Sequence, residues 1–243
     1  MPIVSATELS LVDIFFLTVI VLGLPLETLL NLKKGRAELA SGVPGVRVKH
    51  YSQTIYMLWG ISLPLLVFWA VSERSWADLG FALETGWLAY TGRGLAGLIA
   101  AFFVYQHSLV ARSAETRQQF QSGLAKNTLM TNFMPQTDEE RRVFNILGVT
   151  AGITEEIIFR AFLIWAFAWF MPIWAAAGAA LLVFTLLHLY QGANQLPAVF
   201  AMGGLITLVF VLSGSIWPAI ALHIFVDVIN NSTVWKARTL STA

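Results

Sequence analysis

The sequence predicts an all-α fold, a polytopic bundle of about seven or eight transmembrane helices. Only 12% of its 243 residues are charged and 57% are hydrophobic, whereas about 25% of the residues in a soluble domain are charged. The mean hydropathy of +0.69 and several long uncharged runs indicate that lipid is the main solvent of the chain. These runs lack the alternating pattern of barrel strands, so they predict helices.

Three apolar runs in the first part of the chain predict its first three spans. The first run follows an acidic leader with Glu8 and Asp13 and has no small-residue cleavage pattern. We therefore expect a retained anchor and not a removed signal peptide. The second and third runs contain no Asp, Glu, Lys or Arg, as expected for helices that cross the hydrocarbon core. The three predicted spans are 11–30, 54–71 and 94–110.

Four further runs predict the remaining spans, at 143–170, 173–190, 196–212 and 216–229. Because ionisable residues at membrane depth are concentrated in these runs, we divide the chain into two parts. Residues 1–137 are predicted to form a scaffold of three spans and a cytoplasmic loop, and residues 138–243 a bundle of four spans that carries the function. The polar, Gln-rich segment 112–142 is expected to lie on the membrane surface, either as a plain tether or as a lid over the site.

The distribution of basic residues predicts the orientation of the chain in the membrane. With seven spans, twelve of the fifteen Lys and Arg residues fall on one side, and this bias marks the cytoplasmic side. Arg74 and Arg93 fall on the opposite side, and Arg160 lies within a span. We therefore expect an integral protein of a bacterial cytoplasmic membrane, with its N-terminus outside and its C-terminus in the cytoplasm.

Charged side chains occur where the composition predicts none. Glu155, Glu156 and Arg160 lie near the middle of the fourth span, where each charge costs about 2.5–3.5 kcal/mol on insertion scales. Glu156 and Arg160 are four residues apart, a spacing that allows an ion pair on one helical face. His188 ends the fifth span, and the last span contains His223 and Asp227, again four residues apart. Taken singly, each group is explained by a buried ion pair or an interface hydrogen bond, but their conjunction indicates a functional site.

The charges of these six residues do not balance. With both histidines neutral and all carboxyls ionised, the sum is −2, which a low-dielectric site resists. We therefore expect a protonated carboxyl, a protonated histidine or a bound cation. Either of the first two supplies the acid and base that hydrolysis requires. His50 and His107 lack acidic partners at helical spacing and are expected to be structural.

Three motifs in this order resemble those of the CAAX protease and bacteriocin-processing family, also called Abi, which is related to the type II CAAX prenyl endopeptidases. The family pattern is Glu-Glu-x-x-x-Arg, then Phe-x-x-x-His, then His-x-x-x-Asn or Asp. It is matched by Glu155-Glu156-x-x-x-Arg160, Phe184-x-x-x-His188 and His223-x-x-x-Asp227. The resemblance covers about 138–230, and it implies an intramembrane endopeptidase.

The same resemblance implies a role for each motif residue. Glu155 and His188 would activate the attacking water, His223 and Asp227 would stabilise the oxyanion, and Glu156 and Arg160 would orient the site. Asp227 stands where the prenyl-protein proteases of the family have Asn, so it donates to an oxyanion only when protonated. Its other role would be to orient His223 and favour its protonated form.

A metal mechanism is the alternative to this metal-free one. Glu155, His188 and His223 would form a two-histidine, one-carboxylate zinc site with an open position. The His-Glu-x-x-His helix of common metalloproteases is missing from the sequence. We therefore favour the glutamate mechanism and no cofactor, with zinc as the alternative.

Composition excludes several other functions. The chain contains no Cys, which excludes thiol catalysis and Cys-ligated zinc. A net charge of +1 gives no basic field for nucleic acid. The expected partners are membrane lipid and a peptide or protein substrate, such as a signal, bacteriocin or pheromone peptide, and the oligomeric state is left open. Two other functions are retained as alternatives: a non-proteolytic immunity or regulatory protein, and a small transporter with a proton relay.

Overall fold

The computed structural model describes residues 9–240, so the predicted leader with Glu8 lies outside the described residues. The described part is all-helical, as predicted. Its nine helices, numbered here in chain order, are α1 (Leu11–Ala40), α2 (Val46–Val71), α3 (Trp87–Arg112), α4 (Ala114–Ala125), α5 (Thr128–Phe133), α6 (138–167), α7 (Ile173–Leu187), α8 (Leu196–Ser213) and α9 (Ile216–Thr239).

Five described helical segments are long and apolar enough to cross a membrane: Leu11–Ala40, Val46–Val71, Trp87–Arg112, Ile173–Gln191 and Ala193–Ser213. They correspond to five of the seven predicted spans. The other two predicted spans lie in α6 and α9, which carry the charged motif residues and are therefore less apolar. The five apolar helices, together with the two helices α6 and α9 that carry charged residues, are consistent with an integral membrane protein.

The connections of the helices separate two ends of the bundle. At one end, which we call the basic end, the start of α2, the segment α4–α5 and the C-terminal part of α9 meet. Arg238 of α9 donates to the carbonyl of Pro135 at 2.6 Å, and the hydroxyl of Tyr51 donates to that of Phe133. At the opposite end, the amide of Ile216 donates to the carbonyl of Gly80 at 2.8 Å. The start of α1 lies at this opposite end and α9 ends at the basic end, which agrees with an odd number of spans. The cytoplasmic location of the basic end stays a prediction.

A buried ion pair holds α1 at the opposite end. Asp13 is 1% exposed and accepts two hydrogen bonds of 2.7 Å from Arg74. The same carboxylate also accepts from the backbone of Ser10, in a capping box that begins α1. The Arg74 guanidinium lies 5.1 Å from the ring centre of Trp69 and 5.4 Å from that of Trp165. These contacts fix the start of α1 against α2 and the end of α6.

Helix α6 is central to the bundle, and it packs against α2 on one side and α9 on the other. A capping box of Thr137 and Glu140 begins it, and its backbone becomes π-helical over Glu156–Leu163. Two glycines allow α9 to approach closely. A Cβ on Gly152 would lie 2.7 Å from the backbone nitrogen of Ile224, and one on Gly148 would lie 3.1 Å from Cβ of Asp227. This close approach places the third motif against the first.

The segment α4–α5 is tied down at the basic end. Arg47 donates to the carbonyl of Asn132 at 2.7 Å and pairs with Glu140 at 3.4 Å, and both side chains of this pair are buried. Residues Leu129, Met130 and Phe133 of α5 border the large cavity described below. This part of segment 112–142 therefore borders the cavity, and the choice between tether and lid stays a prediction.

Candidate active site

The first and third motifs meet in a buried ion cluster. Glu156 is fully buried, and its Oε1 lies 3.0 Å from Nη1 of Arg160 and 2.7 Å from Nδ1 of His223. A carboxylate only accepts hydrogen bonds, so Nδ1 of His223 carries the proton and donates it to Glu156. This contact fixes the orientation of the imidazole and directs Nε2 away from Glu156.

Two carboxylates lie near the Nε2 atom of His223. Oε2 of Glu155 and Oδ2 of Asp227 are each 3.8 Å from this nitrogen. The Glu155 side chain is 14% exposed and that of Asp227 is 36% exposed, so both retain access to the space beside the imidazole. The adjacent residues Glu155 and Glu156 therefore lie on opposite sides of the His223 ring, with Glu155 near Nε2 and Glu156 at Nδ1.

Arg160 joins the cluster to two further helices. Besides its bond to Glu156, it donates to Oγ1 of Thr207 at 3.3 Å and to the carbonyl of Gly203 at 3.1 Å, both on α8. Its guanidinium carbon also lies 4.3 Å from the ring centre of Phe184 on α7, a cation–π distance. Arg160 is 1% exposed, so its guanidinium contacts these protein groups and does not reach solvent.

His188 begins a 3₁₀ turn that directly follows α7. Its Nδ1 lies 2.8 Å from the carbonyl oxygen of Phe184. A carbonyl oxygen only accepts, so Nδ1 is the donor and Nε2 of the neutral ring keeps a free lone pair. The Phe184 ring lies 4.4 Å from the His188 ring and 6.4 Å from the His223 ring, centre to centre. Phe184 thus contacts His188, His223 and Arg160, and these contacts give a structural reason for the phenylalanine of the second motif.

A cavity of about 1030 Å³ connects these motifs. It extends from the ion cluster to the basic end, and helices α1 and α2 supply much of its opposite wall. Most of the wall is apolar, and the motif residues that border it are Glu155, Phe184, His188, His223 and Asp227. A cavity of this volume holds a small molecule or several residues of a peptide.

The structure brings five of the six predicted site residues into direct polar contact. Glu155, Glu156, Arg160, His223 and Asp227 are linked through His223 and Glu156. His188 borders the same cavity, but its polar contact is with Phe184. Within residues 9–240, no group of three or more His, Asp or Glu side chains has the arrangement of a metal site. The choice between no cofactor and zinc stays a prediction.

Sequence reasoning missed the partners of the cluster on α8. Thr207 is a buried polar residue in a largely apolar helix, and its Oγ1 also donates to the Gly203 carbonyl at 2.7 Å. The sequence signal that could have identified Thr207 is its polar side chain within the predicted span 196–212. His50 has no acidic partner at helical spacing, as expected, but Glu38 lies 3.0 Å from its Nε2. The two residues are twelve positions apart on different helices, so helical spacing does not reveal the pair.

Comparison with known proteins agrees with this geometry. Residues 141–229 match the family model described as type II CAAX prenyl endopeptidase Rce1-like. This part of the chain is similar to the CAAX proteases. The matched segment contains all six predicted site residues, whereas the first three spans lie outside it. No curated protein and no solved structure matches the chain. Members of the CAAX protease family are hydrolases of peptide bonds, and the cluster and cavity described above are consistent with that class.

Proposed function

We propose that this protein is an intramembrane endopeptidase of the glutamate type, which hydrolyses a peptide bond of a membrane-associated, lipidated or processed peptide. The observation that carries the proposal is the convergence of Glu155, His188, His223 and Asp227 on one largely apolar cavity. Hydrolysis requires a base for water, a stabiliser for the oxyanion and limited access of bulk water. The residues of the cavity wall include candidates for the first two roles, and its apolar lining supports the third.

In the proposed reaction, water binds between Glu155 and the free Nε2 of His188. The Glu155 carboxylate accepts a proton from this water as the water oxygen attacks the carbonyl carbon of the scissile bond. The resulting oxyanion accepts a hydrogen bond from protonated Nε2 of His223. Glu155 then passes its proton to the leaving nitrogen, and the carbon–nitrogen bond breaks to give a carboxylic acid and an amine.

The remaining charged residues hold this arrangement. Glu156 orients His223 through Nδ1 and favours its protonated form, and Arg160 fixes Glu156. Asp227 orients Nε2 of His223 or, when protonated, donates to the oxyanion itself. We assign the catalytic bundle to residues 138–243 and the scaffold to residues 1–137, which also supply the α1 and α2 wall of the cavity.

The test compares the peptides that accumulate in membranes containing the wild-type protein with those in membranes containing Glu155→Gln or His188→Ala. Mass spectrometry identifies peptides cut only by the wild type, and purified protein in liposomes then cuts a synthetic copy. We expect both variants to insert normally and to lose cleavage. Glu139→Gln is the matched control, because Glu139 is exposed on the same helix as Glu155.

Two outcomes would contradict the proposal. Cleavage that persists in both variants refutes the catalytic assignment, and a biological effect that persists without cleavage supports the non-proteolytic immunity or regulatory alternative. Stoichiometric zinc in the purified protein, with activity lost on chelation and restored by zinc, would replace the glutamate mechanism by the metal one. We expect no loss of activity on chelation.

A further inference from the structure

A carboxylate outside the ion cluster also borders the large cavity. Glu27 lies on α1, in the part of the cavity wall that this helix supplies, and the residue is exposed. Its neighbours Leu26, Leu29 and Leu30 are also exposed, but they do not border the cavity. Ionisable residues in membrane spans nearly always face a bundle interior or a cavity, where they mark substrate pathways. This part of α1 therefore directs its charged residue to the cavity and its leucines elsewhere.

Glu27 has no cationic partner within residues 9–240. Its Oε1 accepts a hydrogen bond of 2.9 Å from Nδ2 of Asn31, and the same nitrogen donates to the main-chain carbonyl of Glu27 at 3.2 Å. These two bonds use both donors of the Asn31 amide, and its Oδ1 stays an acceptor. Asn31 is also exposed and borders the cavity. Together the two side chains offer a ligand a negative charge and hydrogen-bond acceptors, but no free donor.

Glu38, a second carboxylate of α1 that borders the cavity, differs from Glu27 in its surroundings. It lies within 4.0 Å of three cationic groups of the chain itself, those of Lys34, Lys49 and His50. Glu27 has no such group, and a charge in a largely apolar cavity is unfavourable without a counter-ion. Lysine and arginine side chains carry a positive charge and donors only. They are therefore the peptide groups that best match Glu27 and Asn31.

We infer that Glu27 and Asn31 bind a lysine or arginine side chain of the substrate. The protein then favours a peptide with a basic residue at one fixed distance from the scissile bond. This inference rests on the proposed protease function. It assigns Glu27 to the selection of the peptide and leaves the chemical step to the cluster around Glu155.

The test uses a peptide that the wild-type protein cuts and the Glu155→Gln protein does not, with its N-terminus acetylated to remove the terminal cation. In two series of analogues, each residue in turn is replaced by lysine or by norleucine, a neutral residue of similar length. With the wild type, we expect lysine at one position to lower KM about fivefold relative to norleucine, with kcat unchanged, as for an exposed ion pair. With Glu27→Gln the two peptides should have equal KM values, and with Glu27→Lys their order should reverse.

Glu115→Gln is the matched control. Glu115 is also exposed and also accepts from an amide four residues further on, that of Gln119 at 3.4 Å, but it does not border the cavity. This variant should retain the wild-type preference for lysine.

Three results would refute the inference. The first is a wild type without a lysine preference at any position, which decides the matter even if the Glu27 variants fail to fold. The second is a preference that survives in Glu27→Gln, since another carboxylate would then bind the lysine. The third is a preference that is lost in Glu115→Gln, since the total charge of the protein would then be responsible. In all three cases peptides are still cut, whereas failure of the proposed function would leave every peptide intact and remove this inference with it.

Discussion

Gly152→Ala tests whether the close approach of α6 and α9 sets the geometry of the cluster. The added Cβ would lie 2.5 Å from Cγ1 and 2.7 Å from the backbone nitrogen of Ile224. Relief of the second contact requires α9 to move by about 1 Å, because ordinary contacts lie near 3.5–4.0 Å. His223 precedes Ile224, so its 2.7 Å bond to Glu156 would lengthen to about 3.7 Å, beyond hydrogen-bond range.

We expect kcat/KM for the peptide to fall about 100-fold, the usual effect of a 1 Å misplacement, and the unfolding free energy to fall by about 1–3 kcal/mol from overpacking. Peptide cleavage in liposomes and thermal unfolding in detergent measure the two effects. Gly178→Ala is the control, because its Cβ would meet nothing within 4 Å and the gain in helix propensity is the same. If Gly152→Ala retains wild-type activity and stability, the argument from helix spacing is wrong.

Two substitutions within the cluster separate charge from geometry. Arg160→Met removes one of the two cationic partners of buried Glu156 and leaves only His223, so thermal unfolding should report a loss of about 3–5 kcal/mol. Arg160→Lys keeps the charge but loses the donors to Thr207 and Gly203, so cleavage assays should show a lower kcat with a smaller loss of stability. Equal behaviour of the two would contradict this reading. Asp227→Asn keeps a polar group of the same shape beside His223 and should retain measurable cleavage, whereas Asp227→Leu should abolish it, and the opposite order would refute the assigned position of Asp227.

The sequence was sufficient to predict the all-helical membrane class and five of the seven spans, because each depends on local composition. It also singled out the motif residues, from spacing within one helix. The Glu156–Arg160 pair is an example, since two residues four apart on a helix meet whatever the rest of the fold does. The family match at residues 141–229 covers all three motifs read from the chain.

Contacts between helices could not be predicted in this way. The bond of His223 to Glu156 rather than to Asp227 depends on how α9 packs against the glycines of α6, and no periodicity in either helix encodes that choice. Glu155 and Glu156 should point about 100° apart on an α-helix, yet both lie near the His223 ring, one at each nitrogen. Thr207 was missed for the same reason, because its meaning depends on the position of Arg160.

The wide separation along the chain of the partners in the ion cluster has a consequence for biosynthesis. Thr207, the partner of Arg160, follows it by 47 residues, and His223, the partner of Glu156, follows it by 67 residues. Helix α6 is therefore synthesised before either partner helix, with Arg160 as the cation beside two carboxylates, Glu155 and Glu156. The complete site cannot assemble until the last span has been inserted. If the proposed function holds, we expect a chain that lacks α9 to be inactive.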